Sequence, residues 1–224
     1  MSHSEAKPKP SSTVVIMREA ESQLEVLLVK RNTQLKTNGG AWVFPGGAID
    51  SADQTSIEDD ILTAMNAAKR EALEETNIDL SASRFESYSH WVTPVGIPRR
   101  YATWFFLSKV PFDTPVTVDG SEIVDYHWLT PKKILTQHRE GKLQLTPPTF
   151  VTLSELHCCD TPDAALQFAA SRNPPTYRPK LAQSGPIRII LYEDDVAYGD
   201  CDLTSDGKYH RLVMNGNDWQ YQRL

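Results

Sequence analysis

Three carboxylates fall on one short arc of a segment with the composition of a helix. Glu71, Glu74 and Glu75 follow a glycine pair, Gly46-Gly47, that ends a short apolar run. At about 100° per residue, the three side chains share one helix face. Like charges repel, so a hard divalent cation with a preference for oxygen ligands, Mg²⁺ or Mn²⁺, would favour this arrangement. The alternative interpretation is a solvated acidic helix face.

Such a cation site would suit hydrolysis of a diphosphate. Water must approach a phosphorus atom that is screened by negative oxygens, and a metal ion neutralises those oxygens and lowers the pKa of bound water. We expect Glu71, Glu74 and Glu75 to be the metal ligands, with Glu74 and Glu75 the strongest candidates. The glycines allow the backbone to turn sharply and to approach phosphate or metal closely.

Composition narrows the classes of partner. The chain has 224 residues and a formal net charge of −6, which disfavours general nucleic-acid binding because phosphate affinity needs clustered cations. No apolar stretch approaches the length of a membrane span, and no signal sequence is evident. Three cysteines, two of them adjacent, predict free thiols and a cytoplasmic location. A small-molecule substrate is therefore expected, and a homodimer remains open.

The elements that would position these residues predict an α/β (α+β) fold. We expect a helix of about twenty residues that begins at Ser56 and ends at a C-terminal cap at Asn77. Ser56 and Asp59 form a capping-box signature, and acids fill the first turn (Glu58, Asp59 and Asp60). Apolar runs and breakers predict the other elements. The predicted strands are 13–17, 24–30, 42–44, 85–92, 100–110 and 123–129, and the later helices are 131–141, 149–159 and 164–171.

Three segments are predicted along the chain. Residues 1–12 read as a flexible tail, 13–145 as the main domain and 146–224 as a helical and β-hairpin extension. Prolines at 174, 175 and 179 indicate a linker within the extension. Beyond it, strands are expected at 187–192, 208–214 and 219–221, with hairpin turns at Asp206-Gly207 and Asn215-Gly216.

The strand, glycine turn and acidic helix together resemble the Nudix hydrolase family, whose box reads G-x5-E-x7-R-E-U-x-E-E-x-G-U, with U a bulky apolar residue. Gly47 is the opening glycine, and the core matches from Arg70 to Ile78. Asp53 stands where the family usually has Glu, sixteen residues rather than seven separate it from Arg70, and Asn77 replaces a glycine. The resemblance implies a mixed, mostly antiparallel sheet between helices, glutamates that hold Mg²⁺ or Mn²⁺, and cleavage of a nucleoside diphosphate linked to a second moiety.

The predicted catalytic residues are Glu74, Glu122 and Arg70. Several family members take their base from a loop beyond the box, and Glu122 is the best candidate here, against the alternative of an exposed loop acid. We expect Arg70 to orient a carboxylate through a salt bridge more than to touch substrate. Asp53 either does similar structural work or joins the metal shell through water.

The segment before the box is similar to the coenzyme A diphosphatase pattern L-L-T-x-R-[SA]-x3-R-x3-G-x3-F-P-G-G, with Val29, Asn32 and Lys36 as departures. The insertion inside the box is similar to that of an acyl-CoA diphosphatase branch. Candidate substrate-binding residues are therefore Arg31, Lys36, Gly46, Gly47, Trp91, Arg99 and Arg100. The four cations could meet phosphate or be solvated surface charges, and Trp91 could stack on an adenine.

The sequence leaves several functions open. CoA or acyl-CoA is the first choice of substrate, with 3′,5′-ADP and (acyl-)phosphopantetheine as products. ADP-ribose or another ADP-linked compound is the alternative. A non-catalytic Nudix-fold nucleotide sensor is the competitor from another class, and intact Glu71, Glu74 and Glu75 favour the enzyme.

Overall fold

The computed structural model describes residues 7–55 and 59–224, and its larger sheet has eight strands. The long strand β1 (Lys9–Ala20) pairs antiparallel with β2 (Gln23–Arg31) and parallel with β6 (Tyr101–Lys109). The strand order is β3-β2-β1-β6-β5-β8, with β4 added to β1 and β7 to β2. The other strands are β3 (Trp42–Val43), β4 (Gly46–Ala48), β5 (Phe85–Val92), β7 (Ile123–Leu129) and β8 (Thr176–Tyr177).

Helix α1 (Asp60–Thr76) covers one face of this sheet. Side chains alternate along β1, so Val14 and Ile16 face α1 and pack in the same cluster as its buried alanines. These small residues, Ala64, Ala68 and Ala72, let the helix lie close to the sheet. Such close packing fixes the position of the glutamates on α1 relative to the strands.

Both ends of α1 have side-chain or backbone caps. The Asp59 carboxylate accepts hydrogen bonds from the backbone N–H of Ile61 and Leu62. Asn77 ends the helix in the left-handed conformation at φ 56°, which confirms the predicted cap. The predicted start at Ser56 and the acid Glu58 lie outside the described residues.

The opposite face is covered by three helices and a second sheet. Val15 and Met17 of β1 point to this side and belong to a second core cluster. The helices are α2 (Pro131–Arg139), α3 (Pro147–Leu156) and α4 (Pro162–Ala170). The second sheet is antiparallel, in the order β12-β11-β10-β9, and comprises β9 (Lys180–Ser184), β10 (Ile187–Leu191), β11 (His210–Asn215) and β12 (Asp218–Arg223).

The C-terminal sheet packs directly on the main domain. Ile190, Leu212 and Met214 lie in the same buried cluster as Trp91 and Phe105 of the larger sheet. The predicted fold class, a mostly antiparallel mixed sheet between helices with a β-rich C-terminal part, is confirmed.

Two local predictions are corrected. The tail was expected to reach residue 12, but β1 begins at Lys9 because residues 9–17 pair with the whole length of β6. Asp206-Gly207 lies within the long connection between β10 and β11 and does not close a hairpin. At the other predicted hairpin, Asn215 pairs with Asp218 across a tight turn, as expected.

Within residues 7–55 and 59–224, none of the helices is both long and apolar enough to cross a membrane. The three cysteines are free thiols, as predicted: Cys158 and Cys201 are exposed and Cys159 is partly buried.

Candidate active site

The glycine turn brings β4 against both β1 and the glutamates of α1. The backbone N–H of Gly46 donates to Glu75 Oε2 at 3.0 Å. A Cβ at Gly46 would lie 2.7 Å from the Cα of Thr13, and a Cβ at Gly47 would lie 2.7 Å from Glu71 Oε2. A side chain at Gly46 would therefore meet the backbone of β1, and a side chain at Gly47 would displace the carboxylate of Glu71.

Arg70 holds the acidic side chains around it in place. Its Nη1 donates to Glu71 Oε1 at 2.8 Å and to Glu74 Oε2 at 3.0 Å. Its Nε and Nη2 donate to the two carboxylate oxygens of Asp53, each at 2.9 Å, and Nη2 also donates to the carbonyl of Ala48 at 3.0 Å. These contacts are the ones that an orienting role of Arg70 requires, and they leave its guanidinium paired with the protein; the role itself stays a prediction.

Asp53 does the structural work that the sequence left undecided. It ends a short 3-10 helix (Ser51–Asp53), and Asp53 Oδ2 accepts the backbone N–H of Asp50 at 2.7 Å in a capping box. Burial would raise the pKa of this carboxyl, but the hydrogen bonds from Arg70 and Asp50 outweigh it and hold the pKa below its usual value. A shorter Asp thus serves where the Nudix pattern has Glu, because it needs only to reach Arg70.

The two buried glutamates of α1, Glu71 and Glu75, have raised pKa values. Burial, together with the nearby charges of Glu71 and Glu122, raises the pKa of Glu75 to about 8. Burial also raises the pKa of Glu71, and Glu74 and Glu122 add to the effect. Glu122 therefore interacts electrostatically with Glu71 and Glu75 of α1, although these residues come from distant parts of the sequence.

The loop before β7 is held in a fixed position beside the glutamates. The carboxylate of Asp119 accepts the backbone N–H groups of Ser121, Glu122 and Ile123, at 2.8–2.9 Å. Asn32, at the end of β2, donates its backbone N–H to the carbonyl of Glu122 at 2.8 Å. The Glu122 side chain remains 62% exposed, with Oε2 3.8 Å from Arg31 Nη2.

The donor set fits a hard divalent cation, although the described residues contain no group of three acidic, histidine or cysteine side chains already gathered for one ion. Glu71 and Glu74 turn towards Arg70, and burial is the main cause of the raised pKa values of Glu71 and Glu75, with neighbouring carboxylates adding to it. Carboxylate oxygens are the ligands that Mg²⁺ and Mn²⁺ prefer. The assignment of Glu71, Glu74 and Glu75 as ligands stays a prediction.

These groups open into a cleft of about 1420 Å³. Three of the predicted substrate-binding cations, Arg31, Lys36 and Arg99, line it together with both glycines. Arg99 Nη1 also donates to Thr37 Oγ1 at 3.0 Å, which ties two loops of the rim. Arg100 is not among the lining residues, and its Nε donates to the carbonyl of Thr93 at 3.1 Å.

The structure argues against the predicted stacking of Trp91 on a base. Trp91 is only 5% exposed, and its ring stacks on Tyr177 with centroids 3.9 Å apart. Its Nε1 donates to Ser89 Oγ, and the edges of its ring meet Phe105 and Tyr192. Trp91 borders the cleft, but its burial and the stacking of Tyr177 on one face of the indole indicate packing between the two sheets rather than contact with a base.

The sequence assigned no residue of the C-terminal extension to the cleft, whereas the structure adds side chains of the C-terminal sheet to its lining. Strands β9, β10, β11 and β12 each supply one or more side chains to its lining. The lining residues of this sheet include Leu181, Gln183, Arg188, Ile190, Met214 and Trp219. No local pattern signals this placement, which depends on how the two sheets pack.

Comparison with known proteins places this geometry in a family. The model of the NUDIX domain matches residues 7–148. The nudix hydrolase 7 of Caenorhabditis elegans is 26% identical over 179 residues, which are 65% of this chain and 60% of that protein. An acyl-coenzyme A diphosphatase of Xenopus laevis is 30% identical over 156 residues, 58% of this chain and 41% of that protein.

Solved structures agree on the fold. A NUDIX hydrolase from Alicyclobacillus acidocaldarius superposes with a TM-score of 0.65 at 23% identity, over 72% of this chain and 96% of that one. The NUDIX domain of Shewanella oneidensis NrtR, complexed with ADP ribose, gives a TM-score of 0.52 at 16% identity, over 67% and 86%. The chain spans 60% and 41% of the lengths of the two relatives from C. elegans and X. laevis. The match over residues 7–148, with the glycine turn and acidic helix inside it, establishes that the chain belongs to the Nudix family.

Proposed function

We propose that the protein is a metal-dependent diphosphatase that cleaves the diphosphate bond of a nucleoside diphosphate derivative. The observation on which this depends is that Glu71, Glu74, Glu75 and Glu122 line one large cleft together with the glycine turn. The bound cation, Mg²⁺ or Mn²⁺, would neutralise phosphate oxygens and lower the pKa of a water. Family membership supports the same reaction class.

The chain's own residues divide the remaining work. Glu122, exposed and held on a tethered loop, is the proposed base that accepts the proton of the attacking water. Arg70 is a positioning residue, because its guanidinium fixes the directions of Glu71 and Glu74. Arg31, Lys36 and Arg99 are the proposed partners of phosphate oxygens in the cleft.

CoA or an acyl-CoA is the proposed substrate, with 3′,5′-ADP and (acyl-)phosphopantetheine as products. The X. laevis relative named as an acyl-coenzyme A diphosphatase supports this choice, as does the spacing of Arg31 and Lys36 before the glycine turn. The cleft, at about 1420 Å³, exceeds the roughly 300–1000 Å³ typical of small-ligand pockets, which suits a long substrate.

ADP-ribose or another ADP-linked compound is the alternative, and it would use the same glutamates and glycines. A nucleotide sensor without catalysis is the alternative from another class. The presence of Glu71, Glu74 and Glu75 together favours the enzyme, because a sensor that does not catalyse could lose these carboxylates without harm.

One substrate screen tests the proposal. The protein is incubated with Mg²⁺ or Mn²⁺ and CoA, acyl-CoAs, ADP-ribose, NADH or diadenosine polyphosphates, and products are identified by mass. We expect 3′,5′-ADP and a phosphopantetheine. AMP from ADP-ribose with CoA intact would transfer the assignment to the alternative, and no cleavage of any compound would favour the sensor.

A further inference from the structure

The C-terminal sheet presents one cross-strand row of side chains to the cleft. Gln183 pairs with Arg188, Arg188 with Met214, and Met214 with Trp219, so the row crosses all four strands. All four of these residues line the cleft. The next row begins with Leu181 and Ile190, which also line it.

Alternation along β10 explains why this row faces the active site. Ile189 and Leu191 pack in a separate small cluster with Ala197, although Ile189 also borders the cleft. Ile190 points inward to the core shared with the larger sheet, and so does Tyr192 just beyond the strand. Arg188 has the same parity as these two residues, and therefore its side chain lies on the inward face.

Two polar groups on this face lack protein partners. Among the described residues, Arg188 is exposed and has no hydrogen bond, ion pair or ring contact, unlike Arg178 and Arg223 nearby. The hydroxyl of Tyr192 is fully buried without a partner, although Tyr192 also lines the cleft. Arg188 and Tyr192 are four residues apart, which along an extended strand is about 13 Å.

The spaces between these polar groups are apolar. Ile190 lies between them on β10, and Leu181, which is 53% exposed, lies beside Ile190 on β9. Met214 and Trp219 continue the apolar surface next to Arg188. An elongated ligand with hydrogen-bond acceptors separated by methylene or methyl groups would match both the polar and the apolar parts of this wall.

We propose that this face of the C-terminal sheet is the specificity wall for the second half of the substrate, and that it selects an extended, amide-bearing chain over a compact sugar. The inference rests on the proposed function for the position of the diphosphate. Arg188 donates to a carbonyl of the chain, and Leu181 and Ile190 contact its apolar part. The phosphopantetheine arm of an acyl-CoA has this chemistry.

Binding to EDTA-treated protein, in which metal-dependent hydrolysis does not consume the ligand, tests the wall. Calorimetry gives the affinity for octanoyl-CoA relative to ADP-ribose, which carries a compact sugar in place of the chain. We expect wild type to prefer octanoyl-CoA. Arg188→Gln should reduce that preference about tenfold, because the variant loses one charged hydrogen bond to the chain. Leu181→Gln, an exposed position that tolerates a polar side chain, should reduce it by about threefold.

Arg178→Gln is the matched control, since Arg178 belongs to the same region but is not among the residues that line the cleft. An unchanged preference in both Arg188→Gln and Leu181→Gln would overturn the inference, and so would equal affinity of wild type for the two ligands or no binding of octanoyl-CoA. Hydrolysis is measured separately with Mg²⁺. If no hydrolysis occurs, the proposed function is refuted, but the ratio of the affinities for the two ligands is unaffected.

Discussion

At the scale of single residues, the site depends on how five carboxylates share two arginines. Arg70 satisfies Asp53 on one side and holds Glu71 and Glu74 on the other. Arg31 is the nearest cation to Glu122, at 3.8 Å, and it also lowers the cost of ionising Glu75. Each side chain therefore has a separable role that a conservative substitution can test.

Glu122→Gln should reduce turnover by about a hundredfold or more, because an amide cannot accept the proton of the attacking water. Its affinity for Mn²⁺ should stay close to that of wild type, as the glutamates of α1 are intact. Steady-state rates and Mn²⁺ titration measure the two quantities. The control is Glu140→Gln, which changes an exposed acid at the C-terminal end of α2. Near-normal turnover in Glu122→Gln would remove this residue as the base.

Glu75→Gln should make the metal-free protein less sensitive to pH. The pKa of Glu75 is raised from 4.5 to about 8 in the fold, so the folded state keeps a proton that the unfolded state releases. Stability from this group is present below pH 4.5 and is lost as pH rises towards 8. The free energy of unfolding is measured in EDTA near pH 4.5 and near pH 8. We expect the stability of Glu75→Gln relative to wild type to be greater at the higher pH.

The same variant should lose the stabilisation that Mn²⁺ gives to wild type, because a ligand that binds only the folded state needs its site intact. A constant difference between wild type and Glu75→Gln across the pH window would contradict the buried-charge account. Equal stabilisation of both by Mn²⁺ would remove Glu75 from the proposed ligands.

At the scale of elements, β4 and α1 form the site together. The three-residue strand β4 pairs with Ser11–Thr13 of β1 only because glycine permits the close approach. The same glycines bring a backbone N–H to Glu75 and leave space for the Glu71 carboxylate. Helix α1 alone would present its glutamates on one face wherever it packed. The glycine turn therefore determines where in the protein these glutamates act.

Gly47→Ala should weaken Mn²⁺ binding and destabilise the fold by about 1–3 kcal/mol, because the new methyl group would overlap the carboxylate of Glu71. Gly199→Ala is the matched control, as no atom lies within 4 Å of a Cβ at that position. Mn²⁺ titration and chemical denaturation of both variants test the prediction. Wild-type Mn²⁺ affinity in Gly47→Ala would show that Glu71 is free to move without loss.

Sequence reasoning succeeded at this scale where the signals were local. Helical spacing identified the face of α1, and Asn77 indicated its end because it tolerates the left-handed conformation. Strands β8 and β9 were missed because prolines 174, 175 and 179 indicated only a linker. The pairing of β8 with β5 joins residues more than eighty positions apart, which no local pattern reveals.

At the scale of the whole molecule, the two sheets share one core, and a buried carboxylate links their elements. Glu155 of α3 accepts hydrogen bonds from Tyr88 at 2.7 Å and Tyr177 at 3.1 Å, on two strands of the larger sheet. It also accepts one from Arg223 of β12 at 2.9 Å. The position of the cleft wall, and the burial of Trp91 behind it, follow from this packing and were therefore beyond sequence reasoning.

Glu155→Ala should destabilise the protein by about 2–4 kcal/mol, since it leaves two phenols and a guanidinium without their partner. Glu140→Gln again serves as the control.

Because the core is shared, wild type should unfold in a single transition, with the same midpoint by tryptophan fluorescence and by far-ultraviolet circular dichroism. Separate transitions in wild type would mean that the C-terminal sheet folds independently, against the shared core described here.

Whether the glutamates of α1 hold the catalytic cation is tested most directly in a variant that carries Glu71→Gln, Glu74→Gln and Glu75→Gln together. The rate of Mn²⁺-dependent hydrolysis of acyl-CoA is measured, and circular dichroism verifies that the variant is folded. Amides keep the shape of the side chains but remove the charge that would hold the cation. We predict that hydrolysis falls to the level seen in EDTA. Hydrolysis at the wild-type rate by the folded variant would contradict a metal site on this helix.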